Sequence, residues 1–290
     1  KLSRMANLKE IRNRIASVSS TMQITSAMKM VSAAKLKKAQ DAILAMRPYS
    51  EKLSELLGRL SASLGEDVEN HYAEKRPVKK VLLVVISSNR GLCGAFNSNV
   101  IKATRLAITA ARPSAEVSVI SIGRKAKDAL KNSATLLADH SSLFDELSYE
   151  NATAIVEPII DSFTAKEYDE VRVIYNSFKN AATQVVKDEL LLPLVQEAST
   201  SAGSDDYIYE PTAEEMVNEL IPKALKVQFF KAIRDSFASE HGARMTAMHK
   251  ATDNAKELRD QLKLTYNKAR QAAITNEILE IVGGAEALND

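Results

Sequence analysis

The run Arg90-Gly91-Leu92-Cys93-Gly94 lies between an apolar, strand-like stretch and a helical pattern, where phosphate-cradling loops sit. Its spacing departs from that chemistry. There is no Gly-x-Gly-x-x-Gly series and no Gly-Lys-Ser/Thr, so a tight turn using glycine's conformational freedom accounts for it. Cys93, the only cysteine, sits where a helix N-terminus activates a thiolate, but it reads better as a small buried residue. One cysteine excludes an internal disulfide, a dithiol switch and a thiolate metal cluster. His71, His140, His241 and His249 have no zinc-like partner spacing, and His241 and His249 read as solvated positions on one helix. Glu277 and Glu280 share a helix face, as general acid–base pairs can, yet read as surface carboxylates. No nucleophile–base pair stands out. No catalytic, cofactor-binding or metal residue is expected, and the residues point to a mechanical or interaction role.

Long helices must position these groups. The stretch 212–284 carries a helical pattern of about seventy residues, far beyond the ~10–14 residues of an ordinary globular helix. Its apolar side needs another long helix or a partner to cover it. The first element, 1–64, supplies that helix: Leu8, Ile11, Ile15, Val18 and Met22, then Leu36, Ala39, Ile43, Met46, Leu53, Leu57 and Leu60, recur by threes and fours. This heptad pattern marks a left-handed coiled coil. It is interrupted at Thr25, Lys29 and Ser32, where apolar residues move to Ile24, Met28 and Val31. That reads either as a drift of the seam or as a second contact surface. In the last helix the seam is expected at Met248, Ala251, Ala255, Leu258, Leu262, Thr265, Ala269 and Ala272, above a bulky section of Val227, Phe230 and Phe237. Thr212 and Glu215 form a capping box. Pro48 and Pro222 predict a kink or break, and Gly283-Gly284 an end.

Between the helices, 77–206 alternates strand and helix, which predicts a small, mostly parallel sheet with helices on its faces. Strands are expected at 80–87, 116–122, 135–138 and 170–175, with a strand or hairpin at 184–195. Helices are expected at 96–111, 124–132 and 151–164. The stretch 199–206 is a Ser/Gly/Asp linker. The predicted architecture is α/β: an antiparallel left-handed coiled coil of the two end helices with an inserted Rossmann-like α/β domain.

Charge adds to this picture. The net charge of +2 is too small to imply a polyanion partner, but ten Lys and Arg between Lys1 and Arg47 face only Glu10 and Asp41. Such a run suits a solvated face, an acidic protein partner or nucleic acid. The longest apolar run, 81–86, is strand-sized, and no stretch approaches the ~18–20 residues that span a bilayer.

Several blocks resemble one family, the gamma subunit of rotary F-type ATP synthases. They are MANLKEIRNRIASV at 5–18, TMQITSAMKMVSAAK at 21–35, SNRGLCGAFN at 88–97, YIYEP at 207–211, SEHGARMTAM at 239–248, ATDNA at 251–255 and ITNEILEIVGGA at 274–285. They run in order over nearly the whole chain. The resemblance implies a central rotor stalk that transmits rotation of a membrane proton ring to the catalytic beta subunits. It implies no active site and no cofactor in this chain. Met28 and Lys29 resemble the contact with the acidic levers of beta. Arg244, Gln271, Thr275 and Glu277 resemble contacts with the catalytic hexamer, and Ile278, Leu279, Ile281 and Val282 its apolar bearing. Tyr207 resembles part of the foot. Implied partners are the alpha and beta subunits, an epsilon-type and a delta-type stalk subunit, and the membrane c-ring, with no nucleic acid. The implied location is peripheral, at the cytoplasmic face of a bacterial inner membrane or the matrix face of the mitochondrial one. The cysteine-bearing regulatory insert of plastid relatives has no counterpart here. The rival readings are a nucleotide-binding α/β protein with a coiled-coil oligomerisation arm, or a coiled-coil scaffold or basic nucleic-acid binder.

Overall fold

The computed structural model describes residues 2–63, 71–74, 76–194 and 213–286. Helix α1 (Leu2–Ser63) is followed by β1 (Lys80–Ile86), α2 (Phe96–Ala111), β2 (Glu116–Ile122), α3 (Arg124–Leu130) and β3 (Thr135–Asp139). A 3-10 turn (Ser141–Phe144) leads to α4 (Tyr149–Thr164), β4 (Glu170–Phe178), β5 (Gln184–Leu192) and α5 (Ala213–Glu286). The capping box, the linker and Tyr207 lie outside the described residues. The chain divides into two compact units: Lys1–Val31 with Met245–Asp290, and Ser32–Arg244.

In the Ser32–Arg244 unit the five strands run in the order β3-β2-β1-β4-β5. β1 pairs parallel with β2 and β4, and β2 parallel with β3. β5 returns antiparallel along β4. The central strand β1, KVLLVVI, is buried on both faces, which is why it is an unbroken apolar run rather than an alternating one. Val81, Leu83 and Val85 face Val100 and Ile108 of α2 and Ala126 and Leu130 of α3. Leu82, Val84 and Ile86 face the opposite cluster, which holds Val156 and Phe163 of α4 and Leu225, Phe229 and Ile233 of α5.

That last contact changes the role expected for the lower part of α5. Phe230 is not on a helix–helix seam but in the sheet's core, and Phe237 stacks on Phe144 at 6.1 Å. The expected break at Pro222 is absent too: α5 runs unbroken through it, as α1 does through Pro48 and α4 through Pro158. A proline removes one backbone hydrogen bond at a cost of about 3 kcal/mol. Ile221 and Leu225 on either side of Pro222 are buried, and two such side chains contribute ~1.5–3 kcal/mol each. Nor does Gly283-Gly284 end the helix, which reaches Glu286. No other atom approaches within 4 Å of where a Cβ would stand on either glycine, so no close contact explains the pair.

Phe229 is fully buried, whereas Leu106 on the outer face of α2 is 63% exposed. Phe229→Ala is expected to lower the opening free energy of β1 and β4 amides by ~3–5 kcal/mol. Leu106→Ala should change it by less than ~0.5 kcal/mol. Native-state hydrogen exchange measures both.

Candidate functional site

The Arg90–Gly94 turn is built by its neighbours. Ser88 donates its backbone N–H to Asn97 Oδ1 at 3.0 Å and its hydroxyl to the Arg90 carbonyl at 2.6 Å. Leu92 and Gly94 have φ of 63° and 59°, the left-handed conformation that lets the chain turn this sharply. Cys93 is buried beside Phe96 and Ala243, and Asn97 donates to its sulfur at 3.1 Å. Burial pushes the thiol's pKa up, against the hydrogen-bond contact with Ser88 and the Arg244 charge. A small buried residue is what the sequence suggested at this position.

The turn also meets α5. Arg244 Nη2 donates to the carbonyls of Arg90 at 3.1 Å and Gly91 at 3.4 Å. Its Nη1 is paired with Glu240 at 2.6 Å. The turn therefore presents carbonyl oxygens to a cation, the opposite polarity to a phosphate cradle. Arg244 and Glu240 are both about nine-tenths buried, so the pair stands in a low dielectric where either charge alone would be costly. Burial raises the Glu240 pKa despite the opposing Arg244 charge.

His241, expected to be solvated, is instead buried, edge-on to Phe237 at 4.5 Å. Its Nδ1 stands 3.5 Å from Arg244 Nη1. Desolvation first, then the charges of Arg244 and Lys35, push its pKa down to about 3. His249, by contrast, is exposed and lies 3.3 Å from Asp253. A histidine with a folded pKa below its unfolded value of 6.5 contributes stability above pH 6.5 and loses it as pH falls toward the folded value. Between pH 7 and 5, the chain is expected to lose about 2 kcal/mol more stability than its His241→Gln variant. Denaturant titrations at the two pH values check this.

In the other unit α1 and α5 run antiparallel. Arg12 donates to Tyr266 Oη at 2.7 Å, Arg259 to Met22 sulfur at 3.6 Å, and Thr252 to Thr25 Oγ1 at 2.9 Å. As one helix advances, its partner recedes. The seam of α1 does not drift at Thr25, Lys29 and Ser32. Thr25 is buried and Lys29 half-buried, and Ser32, the first residue of the Ser32–Arg244 unit, is buried too, so the three–four spacing continues along α1 in polar residues. Ile24 and Val31 are exposed, and Met28 is half-buried. On α5 the expected seam shifts by one at alternate positions. Thr252, Arg259, Tyr266 and Ala273 are half-buried, while Leu258, Thr265 and Ala272 are exposed. Arg and Tyr cover the seam with apolar stems and rings and keep their polar ends wet, so an apolar count misses them. A search for three–four spacing that admitted Thr, Arg and Tyr would have found this register.

At the far end of α5, Gln271, Thr275, Glu277 and Glu280 are all exposed, and so are Ile278, Leu279, Ile281 and Val282. The latter four are 55–67% exposed and, at 3.6 residues per turn, share one broad face of roughly 160°, wider than a two-helix seam. The anticipated partner-contact residues thus fall into separate places: Met28 and Lys29 on α1, the tip residues on α5, and Arg244 in the interior of the α/β unit. Among the described residues no His, Cys, Asp or Glu cluster could hold a metal ion.

The family profile described as ATP synthase matches residues 7–288. The ATP synthase gamma chain of Flavobacterium johnsoniae is 65% identical over 286 residues, covering 98% of this chain and all of the relative. That of Flavobacterium psychrophilum is 64% identical over 287 residues, covering 98% of this chain and 99% of the relative. A chain of the Euglena gracilis mitochondrial ATP synthase, from an OSCP/F1/c-ring structure, has the same fold with a TM-score of 0.71 at 21% identity, covering 98% of this chain and 95% of its own. Two long end helices around a mixed sheet, blocks of matching sequence in order, and near-complete coverage at high identity all agree: the chain belongs to the ATP synthase gamma chain family.

Proposed function

We propose that the chain turns as the central shaft of an F-type ATP synthase, coupling proton flow through a membrane ring to ATP synthesis or hydrolysis in a surrounding catalytic hexamer. The observation that carries this reading is the end of α5, where Ile278, Leu279, Ile281 and Val282 stand exposed with no covering element among the described residues. Contiguous apolar surface of this kind needs a partner. A sleeve of alpha and beta subunits around the helix would bury that face, as a bearing does. Gln271, Thr275 and Glu277 offer polar contacts just below. On α1, the exposed Ile24 and Val31 lie beside Met28 and Lys29, within a basic stretch suited to acidic levers on beta.

Function follows from unequal contacts. If each orientation of the shaft binds the open and closed forms of a beta subunit with different free energy, turning it shifts each site's population in sequence. The foot, with Tyr207, would meet an epsilon-type subunit and the ring, with a delta-type subunit as a further partner. No described helix is long and apolar enough to cross a membrane, so attachment would be peripheral, through the ring. The cytoplasmic face of a bacterial inner membrane is the proposed side, in keeping with the bacterial relatives above.

Reconstitution tests the reading. Mixed with cognate alpha and beta subunits, the chain should enter at one copy per hexamer and strongly enhance ATP hydrolysis. No assembly, together with nucleotide binding by the chain alone, would overturn the proposal. A double substitution, Ile278→Ser with Ile281→Ser, should change the stability of the isolated chain by less than ~0.5 kcal/mol, because both side chains are already in water. In the membrane-reconstituted complex the same pair should lower the protons pumped per ATP hydrolysed.

A further inference from the structure

In doubly wound sheets, ligands bind at the carboxyl ends of the strands, at the point where the strand order reverses. Here that point lies between β1 and β4, since β2 and β3 follow on one side of β1 and β4 on the other. α5 reaches that place. Asp235 accepts from Ser177 at the end of β4 at 3.1 Å. One heptad on, a Cβ on Gly242 would stand 3.2 Å from Ala181 Cα and 3.4 Å from the Phe178 ring, so the helix backbone rests against the β4–β5 turn. Two residues later, Arg244 binds the carbonyls of Arg90 and Gly91 in the loop leaving β1. The helix is thus held from both strands that frame the crevice.

We infer that the crevice at the carboxyl ends of β1 and β4 is a torsional joint, filled by α5 in the place of a ligand, and that Arg244 is the positioning residue that locks it. The inference rests on the shaft reading. Torque on the α/β unit must enter α5 without the helix turning in its seat. Apolar packing of Leu225, Phe229 and Ile233 resists such turning by shape alone. Arg244 resists it directionally. Its planar guanidinium carries donors in fixed directions, and two carbonyls and the Glu240 carboxylate accept from them. A lysine at this place would keep the charge and lose the fork.

The test uses the complete synthase in vesicles, carrying the chain unchanged or as Arg244→Gln or Arg244→Lys. Two quantities are read: hydrogen exchange of the 90–94 amides, and protons pumped per ATP hydrolysed. Arg244→Gln should raise exchange in that loop at least about tenfold, leave β1 and β4 protected, and at least halve the pumping ratio while hydrolysis continues. Arg244→Lys should move both quantities in the same direction by less. If Arg244→Gln does not assemble, Arg244→Lys alone decides the matter on the same two readings. Unchanged loop exchange overturns the lock. Loosened exchange with an unchanged pumping ratio overturns the role in torque. If the unchanged chain itself fails to support pumping, the shaft reading fails, which is a separate outcome.

Discussion

The structure depends on one imbalance: α5 is 74 residues long, and the described residues do not cover it on all sides. A helix buries one face against one neighbour. α5 meets this limit differently along its length. From Ile221 to Ile233 it belongs to the core of the sheet, and from Thr252 to Tyr266 it meets α1 side chains. At Ile278–Val282 its apolar residues stand in water. The same helix is core, seam and exposed surface in turn, which is what a part shared between a folded domain and an outer assembly requires.

The seam between α1 and α5 is notable for its chemistry. Its contacts include a threonine pair, an arginine on a methionine sulfur, and an arginine on a tyrosine hydroxyl. A tight Leu/Ile seam would bury more apolar area and hold the helices harder. Thr25 and Thr252, small and polar, meet across the seam at 2.9 Å at less apolar gain. The bulky residues displaced from the seam, Ile24 and Val31, turn outward instead. Cohesion within the pair is exchanged for surface available to partners.

The inserted domain keeps the architecture of a nucleotide-binding fold, but its crevice is engaged by its own chain. The turn after β1 presents carbonyls to Arg244, and Gly242 brings α5 backbone onto the β4–β5 turn. Burial makes this arrangement sensitive to protonation. Glu240 and His241, next to each other on α5, are both driven toward their neutral forms by desolvation. The Arg244 charge opposes that drift for the carboxylate and reinforces it for the imidazole.

Much of this was legible in the amino-acid order. Two end helices, the strands of the insert with their helices, and the buried Cys93 all follow from periodicity and residue type, because local propensity and burial act along the chain. The partner side of the tip came only from the family resemblance, which placed Ile278, Leu279, Ile281 and Val282 in an apolar bearing. Three features waited for tertiary structure. The seam of α5 runs through Arg259 and Tyr266, whose stems pack while their polar ends bond across the pair, so apolar counting placed it one residue away. His241 looks like a surface residue on a helix until the loop from β1 and the 3-10 turn's Phe144, stacked on Phe237, close around that face. Pro222 and Gly283-Gly284 carry local signals to stop a helix. At Pro222 the burial of Ile221 and Leu225 outweighs a local cost of about 3 kcal/mol. Local signals set what each segment prefers, and non-local contacts, worth more when buried, decide where the preference yields.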